Sequence, residues 1–214
     1  MQEKVDESVR IAWEKEQNDL KVKLEEKDRF DWTLNEADPS KSTLKLVAAV
    51  DISYSKTYDQ NAVAALIVME YPSLKVVYED FEKETTAYPY VPGFLAFKEI
   101  PVYTILFDRL KAKQPEFWPQ LLFVDGNGIL HTRNFGCASH VGVVFDIPSI
   151  GVGKTVFYID GIKSETVKDL SAKHLNKGGD HVDLVGDSGK IWGAALRSTD
   201  EAKNPVIVSV GHRV

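Results

Sequence analysis

Scarce residue types and missing patterns already narrow what this chain of 214 residues can be. Its single cysteine, Cys137, excludes an internal disulfide and favours a reducing compartment. We therefore expect a cytoplasmic protein, with the nucleus or nucleolus as a further location. No apolar run approaches the ~18 residues that a transmembrane helix needs, and the N-terminal MQEKVDESVR lacks the apolar core of a signal peptide. No membrane partner is expected.

Positive charge is also in short supply. The net charge of −6 argues against a protein that coats nucleic acid through bulk positive charge. Bound divalent cations can still reverse the sign of a local carboxylate cluster. With 43% hydrophobic residues, the composition predicts one domain over residues 1–214. Residues 3 to about 29 repeat apolar residues at near-helical spacing, so we interpret 1–40 as an N-terminal helical segment that packs on this domain.

Short apolar runs predict the strands of a sheet. The predicted strands cover residues 44–50, 62–70, 74–79, 121–124, 147–152, 191–196 and 206–210. The second and third are joined by a tight turn and form an antiparallel hairpin. Helices are predicted over 94–113 and 135–144, and the stretch 160–190 is polar. The expected fold is a mixed α/β sheet with an antiparallel edge hairpin, flanked by helices.

Two of these strands end at a carboxylate, Asp51 and Asp125. If the two strands are adjacent and parallel, their ends lie ~5 Å apart, and the carboxylates must share a proton or a cation. Glu99 falls on the apolar face of the helix after the hairpin, which makes it a third acid; a glutamate that reaches water from a frayed helix start is the alternative. Three oxygen donors suit Mg²⁺ or Mn²⁺. Lys154 adds a cation. The set favours phosphodiester hydrolysis over glycoside hydrolysis, which gives no reason for the lysine and for the terminal histidine, His212.

The residues after Asp125 can form a ligand site or an ordinary Asp-Gly turn. The GNG stretch at 126–128 lets a ligand come close to the backbone, and His131 and Arg133 follow as candidate nucleic-acid contacts. Residues 88–93, YPYVPG, predict a rigid protrusion that presents Tyr90, because two prolines fix φ and a glycine frees it. An ordinary connector is the alternative.

Six stretches of the chain together resemble the endonuclease V family of inosine-directed nucleases, which has a ribonuclease H-like fold. They run in order from about residue 45 to the last residue: VAAVDISYSK, PYVPGFLAFKEIP, LLFVDGNGILHTRNFGCASH, IPSIGVGKT, GDSGKIWGAALRS and NPVIVSVGHR. The wording of GNGILH and FGCASH is closer to the animal branch of the family.

The resemblance implies a catalytic site. Asp51 and Asp125 are expected to hold Mg²⁺, for which Mn²⁺ can substitute, with Glu99 beside them. Lys154 and His212 are expected to assist at the scissile phosphate or at a second metal. The implied reaction is hydrolysis of the second phosphodiester bond 3′ of inosine, which leaves 5′-phosphate and 3′-hydroxyl ends.

The resemblance also implies how the substrate is held. The expected wedge, which separates the bases beside the lesion, consists of Pro89, Tyr90, Val91 and Pro92. The residues expected to wall the pocket for the flipped hypoxanthine are Gly93, Leu95, Gly126, Gly128 and Gly136. A glycine wall predicts that backbone N–H and C=O groups, rather than side chains, read the base.

Several alternatives remain open at this point. Single-stranded RNA containing inosine is the expected partner, and DNA containing deoxyinosine is the alternative. A non-catalytic reader of inosine and a ribonuclease H-like nuclease for branched structures are further alternatives. A monomer is expected. Members of the family continue past the Gly-His-Arg motif into another helix, and this chain ends at Val214, so that helix is expected to be absent.

Overall fold

Residues 5–55, 61–85 and 91–214 are described in the computed structural model of this chain. The helices are α1 (Glu7–Lys21), α2 (Leu95–Lys113), α3 (Cys137–Phe145) and α4 (Ser164–His174). The strands are β1 (Leu46–Tyr54), β2 (Asn61–Glu70), β3 (Val76–Thr85), β4 (Leu121–Asp125), β5 (Ser149–Gly153), β6 (His181–Val185), β7 (Ile191–Leu196) and β8 (Val206–His212). No helix within these ranges is long and apolar enough to cross a membrane.

The strands form one sheet in the order β3-β2-β1-β4-β5-β8-β7-β6. The pairs β1–β4 and β4–β5 are parallel, and the other neighbouring pairs are antiparallel. The hairpin β2–β3 lies at one edge as predicted, and β1 completes a three-stranded meander. The predicted mixed α/β fold class is confirmed.

The two faces of the β1–β4 half of the sheet are covered differently. On one face, Val50 and Val124 pack against Leu106 of α2 and Val141 of α3 in the main core. Successive side chains of a strand point to opposite faces, so Asp51, next to Val50, points to the other face and is exposed. That other face is covered near the start of β1 by a separate apolar cluster that includes Phe30, Trp32, Val47 and Leu121.

The N-terminal helix is shorter than predicted. It ends at Lys21, because the following residues bind the end of β8 instead of continuing the helix. The backbone N–H of Arg213 donates to the carbonyl oxygen of Glu25 (2.8 Å), and the backbone N–H of Arg29 donates to the carbonyl oxygen of Arg213 (3.2 Å). These contacts hold residues 25–29 outside the helix.

One strand bound needs correction. β1 does not end at Asp51 but continues to Tyr54, because it pairs with β2 over its whole length. The helix predicted over 94–113 is confirmed: α2 starts at Leu95 and runs through Pro101. The polar stretch 160–190 contains α4 and β6. Their patterns are weak because each element buries one residue, Val167 in α4 and Leu184 in β6.

A candidate catalytic pocket at the ends of the parallel strands

A cavity of about 360 Å³ opens where the parallel strands β1, β4 and β5 end. The predicted site residues that line it are Asp51, Gly93, Leu95, Glu99, Asp125, Gly126, His131, Gly136 and Lys154. Both apolar side chains such as Ile52 and Leu95 and polar side chains line it, as in ligand pockets generally. The structure therefore brings most of the predicted site into one place.

Asp51 and Asp125 face each other at the mouth of this pocket. Val50 of β1 lies beside Val124 of β4 in parallel register, so the next residue on each strand is the aspartate. Burial, and after it the charge of Asp125, raises the pKa of Asp51 above its ordinary value. Lys154 Nζ lies 2.7 Å from Asp125 Oδ2, and this hydrogen bond and ion pair raise the pKa of Lys154. The lysine thus partly neutralises two carboxylates that would otherwise repel each other.

Glu99 lies deeper, and its carboxyl group is held by three donors. Tyr103 Oη and Cys137 Sγ donate to Oε2 at 3.2 and 3.3 Å. Tyr54 Oη donates to Oε1 at 3.4 Å. Burial raises the pKa of Glu99 to about 7, although the bonds from Cys137 and Tyr103 act in the opposite direction. We call Tyr54, Tyr103 and Cys137 the Glu99 cradle.

The carboxylates of Asp51, Asp125 and Glu99 are the candidate oxygen ligands for Mg²⁺ in this pocket. Among the described residues, no group of three or more His, Cys, Asp or Glu side chains is gathered closely enough to hold a metal ion by itself. Asp51 and Asp125 nevertheless form a pair of oxygen donors at the pocket mouth, where the charge of Asp125 raises the pKa of Asp51. Mg²⁺ is commonly held by one or two carboxylates together with waters and substrate phosphates. The pair therefore fits Mg²⁺, with Glu99 set back from it.

Gln17 of α1 closes one side of the pocket and is only 2% exposed. Its Nε2 donates to the carbonyl oxygens of Phe135 (2.9 Å) and Gly93 (3.3 Å). Arg133 donates from Nε to Gln17 Oε1 and from Nη2 to the carbonyl of Gly93, both at 2.5 Å. Its guanidinium also lies over the ring of Phe94. The structure therefore places Arg133, a predicted nucleic-acid contact, behind the pocket wall, where it holds Gly93 and α1.

His131 lines the pocket and is 3% exposed. Burial, and after it the charge of Arg133, lowers its pKa to about 4, so the ring is neutral at pH 7. Its Nδ1 accepts a hydrogen bond from the backbone N–H of Arg133 (3.3 Å). Since one nitrogen of a neutral imidazole is an acceptor and the other a donor, this contact assigns the proton to Nε2.

The GNG loop is already bonded to the protein. Gly126 N–H donates to the carbonyl of Val152 (3.1 Å), and Gly128 N–H donates to Ser209 Oγ (2.8 Å). Gly128 does not line the pocket, because it packs against the backbone of β8, where a Cβ would collide with the carbonyl of Val210. A carbonyl oxygen can accept a second hydrogen bond, but an N–H donor that is already used is not available. The predicted backbone donor to the base therefore does not come from Gly126 or Gly128.

His212 is not brought to this pocket. β8 is antiparallel to β5 and pairs His212 with Ser149, the first residue of β5. Asp125 instead lies beside Val152, near the last residue of β5. His212 is buried there, and its Nδ1 accepts a hydrogen bond from the backbone N–H of Glu25 (3.3 Å). The structure gives it a place in packing rather than beside the acids.

The predicted wedge is described only in part. Pro89 and Tyr90 lie outside the described residues. Val91 and Pro92 are described and lie beside the pocket without lining it. The carbonyl of Val91 accepts a hydrogen bond from the N–H of Phe94 (3.0 Å), which ties this segment to the start of α2.

Sequence reasoning missed several residues that line the pocket or lie directly behind its wall. Gln17 is detectable, since it stands at a position of the apolar stripe of α1, four residues after Trp13. Tyr54, Tyr103 and Cys137 give no sequence signal, because their common partner Glu99 is distant along the chain from two of them. Asn127 also lines the pocket; its Nδ2 donates to the carbonyl of Thr155 (3.0 Å).

Comparisons with known proteins agree on one family. The family model described as Endonuclease V matches residues 28–214. Endonuclease V of Mus musculus is 44% identical over 202 residues, which are 94% of this chain and 59% of the mouse protein. This chain therefore spans only about three fifths of that relative's length.

Solved structures agree. The catalytic domain of human endonuclease V has a TM-score of 0.89 at 40% identity, covering 98% of this chain and 84% of that one. Ciona intestinalis endonuclease V, in complex with a 24mer DNA containing an inosine followed by a ribo-adenosine, has a TM-score of 0.82 at 33% identity. The match covers 97% of this chain and 84% of the Ciona chain.

Proposed function

The chain belongs to the endonuclease V family, and we propose that it is a Mg²⁺-dependent endonuclease that acts on inosine in single-stranded RNA. The proposed cut is at the second phosphodiester bond 3′ of the inosine and leaves 5′-phosphate and 3′-hydroxyl ends. The observation that carries the proposal is the facing pair Asp51 and Asp125 at the mouth of a pocket that is large enough for a base.

The relatives support inosine as the target. The Ciona protein is bound to DNA that contains an inosine followed by a ribo-adenosine, so a relative of this chain accommodates a ribonucleotide directly beside the inosine. A base must leave the stack before a protein can enclose it. The pocket of about 360 Å³ beside the acids offers room for it.

Asp51 and Asp125 are the residues that would hold Mg²⁺. When bound, this ion supplies Lewis-acid chemistry, which activates water and neutralises charge that develops on the phosphate. Lys154, whose Nζ lies beside Asp125, would lose this ion pair if the aspartate held a cation. Its ammonium group could then hydrogen-bond an oxygen of the scissile phosphate, as lysines commonly do.

Glu99 lies deeper in the pocket than Asp51 and Asp125, which we call the acid pair. Its Oε2 is turned toward Tyr103 and Cys137, so the cradle determines how the carboxyl group is oriented. With Oε2 bonded, Oε1 is the oxygen free to face the reacting groups apart from its long contact with Tyr54. We propose that Glu99 orients water or a cation ligand at the cut site.

His131 is proposed to recognise the base. Its Nε2–H is a neutral donor on the pocket wall, which suits the keto oxygen of hypoxanthine. Adenine has an amino group at that position, and two donors facing each other would leave a buried group unpaired at about 1–3 kcal/mol. Gly93 and Gly136 line the same pocket. A Cβ on Gly93 would collide with the Arg133 guanidinium, and one on Gly136 would collide with the carbonyl of Asn127, so both glycines allow the wall to pack closely.

One experiment tests the whole proposal. Matched RNA and DNA oligonucleotides, each with one inosine or with adenosine at that position, are incubated with the protein in Mg²⁺ and in EDTA. We expect cleavage of the inosine RNA in Mg²⁺ only. Faster cleavage of the inosine DNA would favour DNA as the substrate, binding without cleavage would favour a reader, and cleavage that ignores inosine would favour another nuclease.

A further inference from the structure

One face of the edge hairpin carries an exposed aromatic side chain in line with the acid pair. Asp51 of β1 lies directly opposite Ala65 of β2, and Ala65 lies opposite Phe81 of β3. Residues that are directly opposite on neighbouring strands project from the same face of a sheet. Strands are spaced by about 4.8 Å, so the Cα atoms of Asp51 and Phe81 lie about 10 Å apart.

This face is open over the hairpin. α2 packs on the opposite face, against residues such as Val50 and Leu66. Phe81 is 53% exposed, which no other phenylalanine in the described ranges approaches, and the neighbouring Val63 is 40% exposed. We call Phe81 and Val63, with Lys83, the hairpin patch.

The hairpin patch extends along β3 toward the edge of the sheet at which the pocket opens. β3 runs in the same direction as β1, because both are antiparallel to the strand between them. Moving from Phe81 toward the end of β3 therefore leads to the edge of the sheet where β1 ends at the pocket. Lys83 is exposed and follows Phe81 on the same face in that direction, whereas the acidic Glu79 lies two residues further from the pocket edge.

We propose that Phe81 is a stacking platform for a base of the single-stranded RNA substrate, on the stretch of strand that crosses the hairpin face from the cut site. This proposal rests on the proposed function. A stacked strand advances about 3.4 Å per nucleotide, so a span of about 10 Å places the stacked base within about three nucleotides of the scissile phosphate. Lys83 supplies a cation for a phosphate beside that base.

The chemistry of the patch suits such a strand. Proteins that hold single strands combine aromatic rings, on which bases stack, with cations that follow the backbone. Phe81 leaves 53% of its surface in solvent, so part of its ring remains available for stacking on a base. Continuity with the acid pair at the pocket mouth identifies the nucleic-acid strand as the occupant.

The first test measures binding of an inosine RNA in Ca²⁺ by fluorescence anisotropy. Phe81→Ala and Phe81→Leu should each weaken binding by about fivefold or more, because a lost base–aromatic stack has an effect of this size. Phe81→Trp should stay within twofold of the unchanged protein, because it keeps a ring. The matched control is Ile105→Ala, which trims an exposed residue of α2 on the other side of the same strands and should leave binding unchanged.

The second test identifies the stacked base. A series of inosine RNAs carries one abasic site at each position within five nucleotides of the cut. The effect of Phe81→Ala should vanish on one of these RNAs and persist on the others. The proposal is overturned if Phe81→Ala binds like Ile105→Ala, or if its effect is the same on every abasic RNA.

These outcomes separate the platform from the proposed function. If the unchanged protein cleaves inosine and adenosine RNA equally in Mg²⁺, the proposed function fails, and the same abasic series in adenosine RNA still decides whether Phe81 stacks. If the unchanged protein discriminates inosine and Phe81→Ala has no effect, only the platform fails. Circular dichroism and thermal melting confirm that each variant is folded.

Discussion

Tyr103→Phe is the most informative change in the pocket, because it removes one hydroxyl group from a fully buried position. The ring is 0% exposed, and its hydroxyl donates to Glu99 Oε2 at 3.2 Å. Phenylalanine keeps the shape of the ring, so the packing around α2 is preserved. What is lost is one of the two donors to Oε2.

The size of the effect depends on the charge of Glu99. A hydrogen bond to a charged group contributes about 1.5–3 kcal/mol, and one between neutral groups about 0.5–1.5 kcal/mol. If Glu99 works as a carboxylate, kcat should fall by about 10- to 150-fold, whereas a neutral Glu99 limits the fall to about 2- to 12-fold. Above pH 7, where Glu99 is mainly ionised, we expect the larger effect. Cys137 is a weak donor and cannot replace the hydroxyl. KM for the inosine strand should change little, because Tyr103 does not contact the pocket space.

The assay is single-turnover cleavage of inosine RNA over a range of Mg²⁺ and RNA concentrations, with the apparent affinity for Mg²⁺ as a second readout. Cys137→Ser, which keeps a donor, and Cys137→Ala, which does not, form the matched pair at the other donor to Oε2. Serine should retain more activity than alanine. The reasoning is refuted if Tyr103→Phe and Cys137→Ala leave both kcat and the Mg²⁺ requirement unchanged in folded protein.

Four further outcomes can be checked separately. Asp125→Ala should abolish cleavage in Mg²⁺ while Ca²⁺-supported binding is largely kept, and undiminished turnover would overturn its role. Tyr90→Ala should weaken binding to inosine strands by about tenfold or more if the ring stacks on a base; unchanged affinity in anisotropy measurements would leave the segment a connector. Gly136→Ala should lower the thermal midpoint and the activity, because a Cβ there would lie 2.7 Å from the carbonyl oxygen of Gly128. Overpacking of this kind typically costs about 1–3 kcal/mol. A melting curve like that of the unchanged protein would contradict this. Burial lowers the pKa of His140 to about 4, below its unfolded value of about 6.5. Its contribution to stability is therefore complete above pH 6.5 and falls toward pH 4 by up to about 3 kcal/mol. Urea unfolding of His140→Phe should show a weaker loss of stability across this pH range, and identical pH profiles would exclude the histidine as the cause.

The acid pair is predictable from the sequence for a simple reason. Asp51 follows a buried run, Asp125 ends one, and the carboxyl ends of parallel strands meet at one edge of a sheet. The same logic fails for His212, because β8 is antiparallel to β5 and carries its last residues back to the opposite end. Sequence alone does not show the direction in which a strand enters a sheet.

Elements and contacts that depend on tertiary structure were less accessible. α4 and β6 each bury a single residue, so their apolar periodicity is too weak to stand out in a polar stretch. The cradle of Glu99 depends on three side chains from β1, α2 and α3 meeting in space. Exposed Phe81 looks like any strand residue until its register with Asp51 is known.

The contacts of Gln17 have a consequence for how the protein is made. Its hydrogen-bond partner Phe135 lies 118 residues further along the chain. At about 5–20 residues per second, a ribosome needs about 6–24 s to reach that partner after Gln17 has been added. During this time α1, a helix of 15 residues near the limit at which isolated helices are stable, has no groove to enter. The charged surface of α1 keeps it soluble until Phe135 has been synthesised. The pocket wall formed by Gln17 is therefore expected to be among the last parts of this region to assemble.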